Sequence, residues 1–386
     1  MKPAASLSAL NIEEVRDRRA MIRFLEMPRA IYANDPKWVA PLLFERLNHL
    51  DPRKNPFFDH AEAAFWIASR EGRAVGRISA QVNRAHLDRH RDGTGHFGFL
   101  EAEDDPDVFA LLLDTAEAWL REHGLNHILG PYSLSINDES GLLVDGFDTP
   151  PSLMMGHARP YYATRLETRG YVKVKDLIAY DYDLFSEPPE TLRAFIRKAQ
   201  AENELTFRPV NMARYDQELA MIVDIFNDAW AGNWGFLPFA EPEMRYLARN
   251  LKPLVKAECV SIAEISGEPA AMAVSLPNIN AAIADLNGRL MPFGWAKLLW
   301  RLKVRGIDSA RLPLMGVRRR FQGTPVSTAL MLGVINSIRD YHRDHGTRQA
   351  ELSWILEDNR PVRKLIEMFG GRPYKTYRLY AKDLVA

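Results

Sequence analysis

Three groups of residues have types and spacings suited to chemistry. The first is Arg318-Arg319-Arg320-Phe321-Gln322-Gly323-Thr324-Pro325, which joins an apolar run, residues 312–317, to a segment with apolar residues at helical spacing, residues 326–339. A helix N-terminus leaves backbone N–H groups free and carries partial positive charge, so a turn that delivers a phosphate there needs few side chains. The arginines add counter-charge, and the stretch reads as a cradle for a pyrophosphate, although the same pattern also serves as a plain connection. The second group is Glu357-Asp358-Asn359, at the end of a predicted strand over residues 350–356 that also carries Glu351. Carboxylates in such a place act as proton acceptors or as solvated strand caps. The third is a polar loop, residues 135–148, holding Asn137 and Glu139 and running on to His157 and the pair Tyr161-Tyr162. A loop of this length is a packed connection or a lid over a substrate, and in the second case Glu139 and His157 are its candidate proton acceptors.

The elements that must position these groups recur twice. Residues 64–68 and 74–82 predict a hairpin around Glu71-Gly72-Arg73, followed by a strand at 96–101, a helix at 107–122 and a strand at 127–134. Asp104-Asp105-Pro106 supplies the helix with a cap and a first-turn proline. The second half repeats the order: strands at 260–265 and 271–277 around Ser266-Gly267-Glu268, the strand at 312–317, the helix at 326–339 and the strand at 350–356. A short helix from Pro361 to Gly370-Gly371 and a strand at 374–380 close it, as Gly170-Tyr171 and a strand at 172–182 close the first half. The chain therefore reads as an internal duplication. In the first copy, Glu101-Ala102-Glu103-Asp104-Asp105 occupies the place of the arginine turn, and acids so close together repel a pyrophosphate. Only the second copy is expected to bind one.

Residues 1–58 are expected to form a basic amphipathic helix over 12–32, packed on the first domain or lying on an anionic membrane, and then an irregular covering segment. The first unit spans 59–185 and the second 186–386, joined by Ser186-Glu187-Pro188-Pro189. An insert, residues 278–306, separates the second hairpin from the arginine turn; Phe293, Trp295, Leu298, Leu299, Trp300 and Leu302 give it an apolar face.

At 386 residues the chain is long enough for two domains with their own cores. Fifty basic and fifty acidic residues cancel, which argues against nucleic acid as the partner. The single cysteine, Cys259, excludes an internal disulfide and a multi-cysteine metal site, and its apolar strand makes it a core residue. His86 and His90 have the spacing of metal ligands but lack a neighbouring glutamate or third ligand, so they read as a surface pair and no metal is expected. No signal-peptide core and no membrane-spanning run are present, and the expected location is cytoplasmic. The chain has no G-x-S-x-G elbow, and no dinucleotide or P-loop fingerprint.

The order of elements resembles the GNAT superfamily of acyl-CoA N-acyltransferases, whose CoA turn reads R/Q-x-x-G-x-G/A. Arg320, Gly323 and Pro325 fall on its defined positions, with proline replacing the last small residue. The resemblance implies an α/β (α+β) fold of two GNAT-like units in tandem, each a mixed central sheet flanked by helices. It implies acyl-CoA as co-substrate, with no permanently bound cofactor, held by Met315, Val317, Arg318, Arg319, Arg320, Gln322, Gly323 and Thr324, with Asn359 on the pantetheine arm. The family tyrosine that protonates the leaving thiolate falls at Ile366, which has no proton to give. For the base, Glu357, Asp358, Glu139 and His157 are the candidates.

Longer phrases narrow the resemblance. Lys54-Asn55-Pro56-Phe57-Phe58, Asn137-Asp138-Glu139-x-Gly141-Leu142-Leu143, Asn227-x-x-Trp230-x-x-Asn233-Trp234-Gly235, Asn287-Gly288-Arg289-Leu290 and Leu356-Glu357-Asp358-Asn359-Arg360 are similar to the bacterial ceramide synthases. That family implies transfer of a long acyl group from acyl-CoA to a sphingoid base, 3-oxosphinganine in the first instance. Transient contact with the inner membrane surface is a further expectation. Asn137, Tyr161, Asn227, Trp230, Trp234 and Trp295 are then the expected substrate contacts. Two other readings stay open: an N-acyltransferase for a different amine, such as an amino acid or peptide, and a non-catalytic acyl-CoA-binding regulator.

Overall fold

A computed structural model describes residues 10–187, 189–253 and 255–384. The chain divides into two compact units, and neither is a single stretch of sequence. Unit 1 comprises residues up to Asp176 together with Asn287–Arg289 and Tyr377–Ala386; unit 2 comprises Leu177–Leu286 and Leu290–Thr376.

Unit 1 begins with β1 (Leu10–Glu14), α1 (Arg18–Glu26), α2 (Pro28–Ile31) and α3 (Leu43–His49). The single helix expected over 12–32 is thus corrected. Residues 10–14 pair antiparallel with β2 (Ala61–Arg70), and the helix starts only where Asp17 accepts the Ala20 N–H at 2.8 Å. Helix α1 does pack on the domain: Phe24 is fully buried among Leu50, Phe57, Phe65, Ile67, Phe99 and Leu134. β2 turns into β3 (Arg73–Asn83), which leads through α4 (Arg84–His90) to β4 (Thr94–Ala102) and α5 (Pro106–Glu122). The strand expected over 127–134 is broken at Pro131, which has no N–H to give a ladder, into β5 (His127–Gly130) and β6 (Tyr132–Ser133). Two short strands, β7 (Glu139–Ser140) and β8 (Leu142–Asp145), and α6 (Tyr161–Thr168) lead to β9 (Val172–Asp183).

The strands β1 to β4 are antiparallel neighbours in chain order, and β4 pairs parallel with β5 over Thr94–His96. The far side of β5 is taken by residues 380–383, from the other end of the chain. His86 is buried, beside His96 and 3.2 Å from Asp92, which corrects the expected surface pair.

Unit 2 holds α7 (Glu190–Asn203), β10 (Leu205–Pro209), α8 (Tyr215–Trp230), α9 (Glu241–Leu251), β11 (Val260–Ile265), β12 (Glu268–Pro277), α10 (Ile279–Ile283) and α11 (Gly294–Trp300). Then come β13 (Ser309–Val317), α12 (Pro325–Asp344), β14 (Gln349–Leu356), α13 (Arg360–Met368) and β15 (Arg372–Asp383). β10 to β13 are antiparallel in chain order, and β13 pairs parallel with β14. The far side of β14 is taken by Leu177–Asp183 of β9, so unit 2 is closed by the last strand of the first half and unit 1 by the last strand of the second. Alternate residues of β11 and β12 point to opposite faces. Ala263, Ala271 and Ala273 pack under Ala329, Leu330, Val334 and Ile338 of α12, while Ile262 and Met272 pack under Ile222, Ile225 and Phe226 of α8. The small residues on the α12 face let that helix lie close to the sheet. Cys259 is buried, as expected of a core residue.

Candidate active site

In unit 2 the parallel pairing of β13 with β14 runs from Ser309↔Gln349 to Leu312↔Leu352 and stops. Pro313 follows, the register with β12 shifts between Val274 and Leu276, and the rest of β13 pairs with β12 alone. β14 meanwhile continues against β9 as far as Leu356. The two strands therefore part, and one edge of residues 313–317 has no strand neighbour among the described residues. An open edge of this kind is able to pair with an extended ligand.

The arginine turn stands at the end of that edge. Residues Arg319–Phe321 form a short 3-10 turn, Gly323 takes φ +75°, and Thr324 caps α12 by accepting the Ser327 N–H at 3.3 Å. A side chain at Gly323 would meet no neighbour, so the glycine is there for its left-handed backbone. Gln322 fastens the turn: its Nε2 donates to Val317 O at 2.8 Å and to Ala229 O at 3.0 Å.

The arginines are not equivalent. Arg318 donates to Pro269 O at 2.8 Å and to Asp224 at 2.6 Å, and Arg319 is bound through its backbone N–H and its Nε to Asp228. Asp224 and Asp228 stand one turn apart on α8 and neutralise both. Arg320 is exposed, lies over Phe321 at 4.7 Å and has no carboxylate partner among the described residues. The backbone N–H groups of Gly323 and Val326 likewise make no hydrogen bond among the described residues. The free anion-binding capacity of the turn is thus one guanidinium and the opening of a 20-residue helix.

The C-terminal end of α8 meets this edge. Trp230 Nε1 donates to Met315 O at 2.9 Å, and Asn227 exchanges hydrogen bonds with the Phe239 backbone, which fixes the turn that carries partly exposed Trp234. Asn359 caps α13, accepting the Val362 N–H at 3.4 Å; Glu357 is half-buried and Asp358 exposed. Ile366, at the position of the family tyrosine, is buried against Ile178 and Tyr180. Trp295 is half exposed on α11, its indole N–H donated to Pro292 O.

Where β13 and β14 part lies a polar group that the sequence spacing did not reveal. Arg311, opposite Glu351 in the register, is 1 % exposed; it donates to Ser353 Oγ at 2.9 Å and lies 3.5 Å from the Glu351 carboxylate. Ser353 Oγ and the Tyr374 hydroxyl both donate to Glu351, and the Arg311 guanidinium covers the Trp354 ring at 4.9 Å. A cation in an otherwise apolar strand, Arg311, was the available signal.

Unit 1 has the corresponding acidic turn, and arginines occupy its charges: Arg73 on Glu103, Arg165 on Asp104 and Arg70 on Asp105. Glu101 is buried and accepts from Tyr32 at 2.7 Å and from Tyr162 at 2.8 Å; burial pushes its carboxyl up, against the opposing pull of Arg77. Tyr161 donates to Ala102 O, and burial raises its hydroxyl to about 12. His157 is buried and bound to Asp35 at 3.0 Å. Glu139 is paired with Arg46 at 2.5 Å, and the Asn137 backbone N–H donates to Ser135 Oγ. The segment 135–148 carries β7 and β8, and both Glu139 within it and His157 beyond it have ionic partners.

Comparison with known proteins decides the family. No family model matches the chain. It is 46 % identical over 377 residues to the protein named bacterial ceramide synthase of Caulobacter vibrioides, covering 97 % of this chain and 98 % of that one. The chain belongs to the bacterial ceramide synthase family. A second relative, Protein YghO of Escherichia coli, is 47 % identical over 365 residues, covering 94 % of this chain and 92 % of its own. Among solved structures, a tandem GNAT protein from the clavulanic acid biosynthesis pathway aligns over 98 % of this chain and 99 % of its own, with TM-score 0.55 and 14 % identity. A GCN5-related N-acetyltransferase from Sphaerobacter thermophilus aligns over 97 % and 96 %, with TM-score 0.54 and 13 % identity. The fold of this ceramide synthase family member is the tandem GNAT fold expected from its sequence, and the protein is an acyltransferase.

Proposed function

We propose that the protein joins a long-chain acyl group from acyl-CoA to the amine of a sphingoid base, 3-oxosphinganine in the first instance, and so forms a ceramide-type amide. The observation that carries this reading is the free edge of β13 ending in the Arg320–Gly323 turn, in a chain 46 % identical to a named bacterial ceramide synthase. The pyrophosphate lies on the Gly323 and Val326 N–H groups and Arg320; Arg318 and Arg319, tied to Asp224 and Asp228, hold the turn in shape. The pantetheine arm runs along residues 313–317 towards Asn359, which brings the thioester to the point where β13 and β14 part.

The neutral amine attacks the thioester carbonyl, the N–C bond forms, the C–S bond breaks, and the amine proton passes to a base as the thiolate leaves. Glu351 stands at that point with two hydroxyl donors, Ser353 and Tyr374, on it. In this reading Tyr374 and Glu351 carry the proton, in place of the tyrosine absent at Ile366. Glu357 and Asp358, at the end of the same strand, lie further along and take a positioning role. Trp230 and Trp234 line the acceptor side. The enzyme works in the cytoplasm at the inner face of the membrane, where its lipid substrates reside; no helix among the described residues is long and apolar enough to cross a membrane.

The test is thiol release from palmitoyl-CoA with 3-oxosphinganine, sphinganine, glycine or no acceptor, with products identified by mass. An N-acyl sphingoid product with no product from glycine is expected. Acylation of glycine in preference would transfer the protein to another amine class, and tight acyl-CoA binding without release for any amine would make it a binding protein.

A further inference from the structure

The insert between β12 and β13 is built inside out. Helix α11 and the helical turn Arg301–Arg305 that continues it bury no side chain among the described residues. An amphipathic helix of a globular domain ordinarily turns an apolar stripe to the core and polar residues to water. Here polar contacts tie the helix to the domain, and of its leucines only Leu298 and Leu302 are partly buried. Lys297 and Arg301 both bind Asp285, just past α10, and Arg301 also donates to Ala282 O at 2.6 Å. Most of the apolar side chains face outward: Met291 76 %, Phe293 77 %, Trp295 49 %, Leu299 49 %, Trp300 51 % and Val304 72 % exposed. These are six of the ten large apolar residues exposed among the described residues, gathered within residues 291–304. Such a concentration marks an interaction surface, whereas singly scattered apolar residues need no explanation.

Charge indicates the partner. Residues 291–305 contain Lys297, Arg301, Lys303 and Arg305 and no acid, and Lys303 and Arg305 are exposed with no carboxylate partner among the described residues. A second copy docking by the same face would set these cations against one another. An anionic bilayer accepts both features: tryptophan and phenylalanine settle at the level of the headgroups while lysine and arginine meet lipid phosphates. We propose that residues 291–305 form the membrane-docking face of the protein and lie in the surface of anionic phospholipid without crossing it. This names the surface for the membrane contact in the functional reading above and rests on that reading only for its purpose. The expected basic helix near the start of the chain does not take the role, because α1 buries Phe24 in its own domain.

The full chain is floated with vesicles of phosphatidylcholine containing about one third phosphatidylglycerol, with phosphatidylcholine vesicles alone as comparison, and no acyl substrate present. Binding to the anionic vesicles that weakens in high salt is expected. Replacing Met291, Phe293 and Val304 together by serine should weaken it at least ~10-fold. The pair Lys303→Glu and Arg305→Glu, which leaves the apolar face intact, should weaken binding to anionic vesicles by about tenfold and leave any binding to phosphatidylcholine unchanged. Both sets are on exposed positions, and circular dichroism is the check that they fold. Unchanged vesicle binding in both variants overturns the proposal. So does a concentration-dependent dimer that the serine variant abolishes, or a raised KM for palmitoyl-CoA with vesicle binding intact, which would make the face part of the acyl path. Because vesicle binding is read without catalysis, failure of the ceramide reading leaves this result standing.

Discussion

At the scale of single residues, the arginine turn shows how neighbouring cations acquire different tasks. Arg320→Ala removes the one guanidinium of the turn that no aspartate neutralises, and should raise the KM for acyl-CoA about tenfold with kcat little changed, read from initial rates. Arg318→Ala should instead lower stability by about 1–2 kcal/mol, because it leaves Pro269 O and Asp224 without their donor. Glu351→Gln removes the carboxylate beside the buried Arg311 cation; unfolding by denaturant should show a loss of about 3–5 kcal/mol, and acyl transfer should fall beyond the folded fraction if the carboxylate carries the proton. His342 answers to pH. Burial lowers its folded pKa to about 4, below the ~6.5 of the unfolded chain, so acid protonates the unfolded state first. Its contribution is complete above pH 6.5 and is lost as pH falls towards 4, amounting to about 2 kcal/mol between pH 6.5 and 5. Thermal unfolding of His342→Gln should therefore fall less over that interval than that of the native chain. The turn was legible in the sequence because glycine, capping threonine and first-turn proline each have a local reason to stand where they do. The pairing of Arg311 with Glu351 was not, since it depends on the register between two strands separated by a helix.

At the scale of elements, the site depends on β13 leaving β14 after four paired residues while α12 starts from the far end of β13. Gly323 is the joint between them. Gly323→Ala meets no atom but forces a side chain onto φ +75°, at about 1–2 kcal/mol, and should disturb the turn more than the core. A higher KM for acyl-CoA with a melting temperature lowered by only a few degrees is the expected result, measured by kinetics and calorimetry. Most elements could be read from periodicity, because buried strands alternate and α5, α8 and α12 carry apolar stripes. The first residues of the expected N-terminal helix could not: their apolar positions fit a helix, yet residues 10–14 find an open edge at β2, and tertiary pairing overrides the local pattern.

At the scale of the whole molecule, each compact unit takes its closing strand from the other half of the sequence. Deleting residues 377–384 should therefore disturb unit 1, although those residues follow all of unit 2 in the chain. Hydrogen exchange should rise in β5 and β8 ahead of β14, and equal loss of protection in both units would contradict the assignment. The duplication itself was visible in the order of elements and in the paired Gly-Gly and Gly-Tyr boundaries. The exchange was invisible, because an alternating strand has the same sequence whichever sheet accepts it.

The same exchange sets a timetable for synthesis. A ribosome makes the chain from its N-terminus, and unit 1, first to emerge, lacks its closing strand until residues 377–383 have been translated. Throughout the making of unit 2, the edge of β5 waits unpaired, and Leu177–Asp183 waits for β14, some 170 residues later. Unit 2 has all of its residues once Thr376 is made, whereas unit 1 must wait for the last strand, so the nascent protein spends most of its elongation time with open strand edges, which are sites where chaperones bind or aggregates begin.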